Sequence, residues 1–184
     1  MDAFLKKIFL ICTLIISTIT TINAINLNKT YNNTDTKLIL NGQGVRDKFF
    51  MDLYECGLYL TQKSQDAQQI IEEDKPMSLK LHIVSSLITS EKMENATREG
   101  FKKSTNGNIE SLQSKIETFI HVFADLKEND KYDFFYLPNV GVKIYKNDKL
   151  ASTIEGTDFK KALFGIWLGT EPVQESLKDE LLSL

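Results

Sequence analysis

Apolar and polar positions change period several times along the chain, and each change marks an element. Lys37-Leu38-Ile39-Leu40-Asn41 predicts an opening strand. Gly42-Gln43-Gly44 loosens it, and Val45-Arg46-Asp47-Lys48 reads as its polar end and a turn. From Phe49 to Leu60 both faces of an alternating pattern are apolar, except at Asp52 and Glu55, which suits a central strand covered on both sides. Gly57 within it suggests a bulge or a close backbone approach. Ser64 to Asp74 predicts a short helix with Ser64 as N-cap and Ala67, Ile70 and Ile71 on one side. Met77 to Ile83 alternates strictly, so it is a strand with one buried and one wetter face, and His82 falls on the wetter face with Ser78 and Lys80.

Two helices follow. Ser90 to Lys103 puts Met93, Ala96, Thr97, Gly100 and Phe101 on one stripe, with Thr89 or Ser90 as cap and Glu91 in the dipole-favoured first turn. Asn106-Gly107 breaks the chain. Asn108 to Ala124 then aligns Ile109, Leu112, Ile116, Phe119, Ile120 and Phe123, with His121 opposite. Three short strands, Tyr132–Leu137, Gly141–Lys146 and Leu150–Ile154, are joined by turns at Pro138-Asn139 and Asn147-Asp148. Asp158 to Leu168 is a strongly apolar helix that Gly169 ends, as a left-handed cap would, and Pro172 opens a last amphipathic helix to Leu182. Strand runs, a helical block, a meander and C-terminal helices make an α+β pattern around an antiparallel sheet.

The N-terminus stands apart. Lys6-Lys7 precede the apolar run Ile8 to Ile16, which fades into Thr21-Ile22-Asn23-Ala24, the order of a secretory signal peptide. The alternative is an uncleaved anchor, against which the shortness of the run argues. The chain is therefore divided into a signal peptide (1–24), a flexible lead-in (25–36) holding two Asn-X-Thr sequons, and one domain (37–184), with a periplasmic or secreted location expected. Cleavage after Ala24 leaves 160 residues with 20 basic and 24 acidic side chains, a net charge of −4, and no stable membrane span expected. Without a basic excess, nucleic acid is not an expected partner. Cys56 becomes the sole cysteine and reads as a buried small hydrophobe rather than as half of a disulfide. Two scattered histidines and one cysteine make no metal-ligand cluster.

Leu40-Asn41-Gly42-Gln43-Gly44-Val45-Arg46, with Tyr54-Glu55-Cys56-Gly57-Leu58-Tyr59-Leu60, resembles the paired opening strands of the chalcone isomerase-like superfamily, most closely its exported bacterial branch. Ile88 to Gly100, Tyr132 to Gly156 and Phe159 to Gly169 agree in order, so the resemblance spans roughly residues 37 to 182. It implies an open-faced β-sandwich, a large antiparallel sheet backed by a layer of helices, with a cleft between sheet and helices and no cofactor. In the plant enzymes a phenolate oxygen adds across an enone, which needs a cation by the phenolate and hydrogen-bond donors at the developing enolate.

Carried onto this chain, the first-strand Arg falls on Arg46 and is retained. The strand Thr falls on Tyr54, the helical Tyr on Thr89, the Asn on Asn95 or Ala96, and a late-helix polar residue on Ile166, which donates nothing. Loss of one oxyanion donor commonly slows a reaction by about 10²–10³, so a depleted set argues against efficient isomerisation. Non-catalytic relatives bind fatty acids, with an Arg meeting the carboxylate. Three readings follow. The first is an exported non-catalytic domain that binds a small amphipathic anion such as a fatty acid, using Arg46, Tyr54 and Thr89, with Phe49, Phe50, Leu53, Met93, Phe101, Phe119 and Trp167 as potential lining. The second is a chalcone isomerase-type intramolecular lyase with a reduced active site. The third is an interaction protein whose cleft is filled by its own side chains. For Arg46 itself the alternative to an anion anchor is a surface residue paired with Asp47 or Asp52.

Overall fold

In the computed structural model, which describes residues 36–184, the strand-forming segments join one six-stranded antiparallel sheet. Its strands are β1 (Ile39–Lys48), β2 (Met51–Leu60), β3 (Met77–Ile83), β4 (Lys131–Leu137), β5 (Gly141–Lys146) and β6 (Lys149–Ile154). They lie side by side in chain order, every neighbour antiparallel. The helices are α1 (Ala67–Glu72), α2 (Ser90–Ser104), α3 (Gln113–Ile120), α4 (Thr157–Leu168) and α5 (Glu175–Leu182). This is the expected α+β open-faced arrangement. Residues 1–24, expected to be a signal peptide, and all of the expected lead-in but residue 36 lie outside the described residues.

The core forms where the apolar faces of sheet and helices meet. Leu58, Leu79, Phe134 and Ile144 from the sheet, with Phe101, Phe119, Phe159 and Phe164 from the helices, are all fully buried. Phe119 is the hub, with ring centroids 5.1 Å from Phe134, 5.4 Å from Phe123, 5.8 Å from Phe101 and 5.9 Å from Phe159. Most of these contacts are edge-to-face, the geometry favoured by the ring quadrupole. The residue 108–124 stripe is buried as its period requires from Leu112 on, with Ile109 only partly covered, and its first and last turns tighten to 3-10 geometry at Glu110–Leu112 and His121–Phe123.

Five local expectations are corrected. First, β1 does not loosen at its glycines but runs ten residues to Lys48, with register shifts at Leu40/Gly42 and Arg46/Asp47. Gly42 and Gly44 serve instead to admit α5: a Cβ on Gly42 would lie 2.2 Å from the Glu180 carbonyl oxygen, and one on Gly44 would overlap the Glu180 carboxylate. Second, the turn after β1 falls on Phe49 and Phe50, both with positive φ (52° and 64°), so β2 starts only at Met51. Two such residues between paired strands make a type I′ hairpin tip, a conformation Asn and Gly adopt with less strain than Phe. Third, α1 is short and capped by Asp66, whose carboxylate accepts from the Gln69 N–H at 2.9 Å; Ser64 Oγ accepts from the Asp66 N–H instead. Fourth, the second face of β3 is not wet. Ser78 and Lys80 are buried on Asp133, at 2.5 and 3.2 Å, and His82 is half-buried with Nδ1 2.9 Å from Glu55. Fifth, Gly169 is extended (φ −70°, ψ −172°), and Pro172–Gln174 precede α5 rather than opening it.

The contact between β1 and α5 gives a direct test. We expect Gly42→Ala to lower stability by about 2 kcal/mol and the melting temperature by about 4–8 °C, because the obstruction is backbone and cannot rotate away. An unchanged thermal melt would show that α5 does not sit on β1 this closely.

Candidate functional site

The β1–β2 hairpin does not lie flat on the helices along its whole length. Near its tip it stands off from α2, and the gap is a cavity of about 530 Å³. That is within the few hundred to a thousand Å³ typical of small-molecule sites. The hairpin contributes Arg46, Lys48, Phe49, Met51, Leu53 and Tyr54. The facing side of α2 contributes Lys92, Met93, Asn95, Ala96, Thr97 and Glu99. Ile166 and Trp167 of α4 complete the wall, with Leu87, Ile88 and Val173 from connecting segments. The lining is mainly aliphatic and aromatic.

Arg46 and Tyr54 are register partners across β1 and β2, so their side chains share a face. The guanidinium is held by its neighbours: Nη1 donates to the Asp47 carbonyl oxygen at 2.5 Å and to Gln174 Oε1 at 2.8 Å. Gln174 Nε2 in turn donates to Asp47 Oδ1 at 2.7 Å. One end of the fork is thereby fixed, and no acceptor among the described residues takes its other N–H groups. Arg46 is half-buried and forms no ion pair with Asp47 or Asp52 among the described residues.

Tyr54 is buried, and its Oη accepts from Trp167 Nε1 at 3.1 Å. Burial raises its pKa well above the ordinary phenol value, reinforced by the buried Cys56 and opposed more weakly by the Trp167 hydrogen bond and by Arg46. The hydroxyl therefore stays protonated and keeps a hydrogen to donate. Cys56, the one cysteine among the described residues, is buried and free, and burial raises its thiol well above the usual range. It does not line the cavity.

The other sequence-derived residues divide. Thr89 is the N-cap of α2, its hydroxyl accepting from the Lys92 N–H at 3.3 Å; it is exposed and is not part of the cavity wall. Asn95, Ala96 and Ile166 do line the wall, as do Phe49, Leu53, Met93 and Trp167. Phe101 and Phe119 belong to the aromatic core instead, and Phe50 projects fully into solvent. The sequence reading overlooked Gln174, which fixes Arg46 across 128 residues of chain, and Leu87, Ile88, Lys92 and Val173. Only the apolar pair at 87–88 leaves a local signal, two hydrophobes just before a cap, of which Leu87 is exposed and Ile88 buried. No group of three or more potential metal ligands occurs among the described residues.

Comparison with known proteins gives three findings. A family model described as chalcone isomerase-like matches residues 19–183. No protein of curated function matches the sequence. Among solved structures, a fatty-acid binding protein of Arabidopsis thaliana superposes with a TM-score of 0.64 at 15% sequence identity, over 81% of this chain and 88% of that one.

Proposed function

The chain belongs to the chalcone isomerase-like family, and from that premise we propose that it is a non-catalytic binding protein for a small amphipathic anion such as a fatty acid. The observation that carries this reading is a half-buried guanidinium, fixed at one end by Gln174, beside an apolar cavity of about 530 Å³. A carboxylate matches the forked donors left on Arg46, and the Tyr54 hydroxyl offers a third donor on the same face. The aliphatic and aromatic wall suits an acyl chain. That a structural neighbour is a fatty-acid binding protein supports the same ligand class.

Isomerisation of a chalcone is the less favoured chemistry. Arg46 and Tyr54 are in place, but Thr89 faces solvent at a helix cap and Ile166 presents only carbon, so the array that would stabilise an enolate is incomplete.

Trp167 is the single tryptophan and lines the cavity, so its emission reports occupancy directly. Titration of protein purified without delipidating steps, combined with native mass spectrometry, should show saturable one-to-one binding of a long-chain fatty acid. Incubation with chalcones should leave the enone absorbance decaying at the buffer rate. Absence of binding together with accelerated loss of the enone would replace this reading with the enzymatic one.

The basic and apolar N-terminal segment supports export as part of the proposal. The intact mass of protein recovered outside the cytoplasm should correspond to a chain starting at Ile25. A mass that retains residues 1–24 would argue for a membrane anchor.

A further inference from the structure

Phe49 and Phe50 form the tip of the β1–β2 hairpin and are 77% and 104% exposed. Both are held at positive φ, in a turn where Asn and Gly fit with less strain. Phe50 is not part of the cavity wall and joins no core, so nothing among the described residues accounts for an aromatic ring there. A large apolar side chain kept in full solvent in a strained conformation points to a contact outside the chain.

The surroundings say which contact. Met51 and Leu87 are 43% and 46% exposed and also line the cavity, so the apolar surface of the tip continues into the cavity mouth. The cavity wall carries Arg46, Lys48 and Lys92 against one acid, Glu99, in a chain whose formal charge is −3. Lys48 Nζ lies over the Phe49 ring, 5.6 Å from its centroid, and Lys92 Nζ is tethered to the Leu87 carbonyl at 3.0 Å. Asp47 and Asp52, nearby on the hairpin, are not part of that wall, and Asp47 is engaged by Gln174.

A protein partner is the weaker fit. Two rings with a flanking Met and Leu offer at most a few hundred Å², well short of the roughly 800 Å² per side of a stable protein interface. A bilayer accepts so small a wedge, because aromatic rings settle at headgroup level and flanking lysines meet phosphate groups.

We propose that the Phe49–Phe50 tip inserts into the interfacial layer of a phospholipid bilayer, with Lys48 and Lys92 against lipid phosphates, and so seats the cavity mouth on the membrane surface. One consequence rests on the ligand reading above: an acyl ligand then passes between bilayer and cavity without crossing bulk water.

The test is sedimentation with phosphatidylcholine vesicles, with and without phosphatidylglycerol, and with no fatty acid added. Native and Phe50→Gly proteins are exported from the same host, so their N-termini are identical. The native chain should partition onto vesicles, more strongly when phosphatidylglycerol is present. Phe50→Gly should bind about tenfold more weakly, the loss of one ring's burial. Its melting temperature should not fall, since glycine suits the turn, and its titration with fatty acid in solution should match the native one. Native protein left in the supernatant with both vesicle types, or equal partitioning of the two proteins, overturns the proposal. So does a concentration-dependent dimer that Phe50→Gly abolishes while vesicle binding is unchanged, which would assign the tip to a second copy of the chain. Because vesicle binding is read without ligand, a failed fatty-acid titration beside intact vesicle binding removes the ligand reading and leaves the docking surface standing.

Discussion

Titrated with a long-chain fatty acid, an Arg46→Ala variant should bind about thirtyfold more weakly than the native chain. Truncating one partner of a desolvated charge pair costs about 2–5 kcal/mol, and about 1.4 kcal/mol is a factor of ten in affinity. Arg46 is half-buried rather than sealed, which places the effect at the lower end. The same variant should lose almost no stability, because the guanidinium's protein contacts are two hydrogen bonds at a partly solvated site. Arg46→Lys should recover only part of the affinity: an ammonium keeps the charge but cannot bond Gln174 and a carboxylate in one plane. A methyl ester of the same acid provides the internal control. It should bind native and Arg46→Ala protein alike, since it has no carboxylate for the guanidinium to meet. Equal affinity of both proteins for the free acid would take Arg46 out of the site.

Lys160 governs the second large effect, one of stability. This side chain is 1% exposed, and its Nζ donates to the carbonyl oxygens of Ile70 (3.0 Å), Ile71 (2.6 Å) and Glu73 (2.8 Å). It thereby satisfies the C-terminal carbonyls of α1, a helix too short to hold itself, and ties that helix to α4. Its Nζ also lies 5.4 Å from the Tyr136 ring centroid. Lys160→Met keeps the stem and removes the donors. Three carbonyls lose their common partner, at about 1–3 kcal/mol for each that stays dry, offset by relief of a desolvated charge. A net loss near 4 kcal/mol and a fall of about 8–16 °C in melting temperature are expected.

The pH dependence adds a signature that a packing defect would lack. Burial pulls the Lys160 pKa down to about 8, with the neighbouring Lys161 adding to the drop, against the ordinary value of 10.5. Between those values the unfolded chain binds more protons than the native one, so native stability rises with pH across the window and falls as pH drops through 8. The methionine variant has no such group. The stability gap between the two proteins should therefore widen from pH 7 towards about pH 9.5, below the range in which tyrosines titrate. A constant gap would mean that the amine is not desolvated in the folded state.

How much of this was legible in the sequence differs by element. The stripes at Met93–Phe101 and Ile109–Phe123 and the meander from Lys131 to Ile154 repeat at helix and strand periods, and each period encodes which neighbours share a face. Those elements appear where the pattern puts them. Arg46 and Tyr54 were legible as candidates through the resemblance of their flanking residues, and the fold sets them side by side. Gln174, Leu87 and Val173 were not. They reach the site from distant or irregular segments, and a glutamine before a helix looks the same whether or not it holds an arginine 128 residues away.

The Phe49–Phe50 turn was hidden for a related reason. Two aromatics beside Met51 and Leu53 score as strand, and only the pairing of Lys48 with Met51 forces them into the left-handed region. Gly42 and Gly44 read as breakers because local propensity treats glycine as flexible, whereas here its missing Cβ is what the Glu180 segment requires. Nothing in the sequence around Lys160 marks its role, since charge alone does not announce three carbonyls waiting to be bonded.

The sequence by itself determined the strand and helix order and the antiparallel sheet, because periodicity and turn chemistry act between near neighbours in the chain, and its resemblance to a known family singled out Arg46. Tertiary structure alone decided that the hairpin stands away from α2, that Thr89 turns outward while Tyr54 turns inward, and that a glutamine pins the guanidinium. Those outcomes depend on how distant surfaces pack in three dimensions, and no local rule along the chain carries that information.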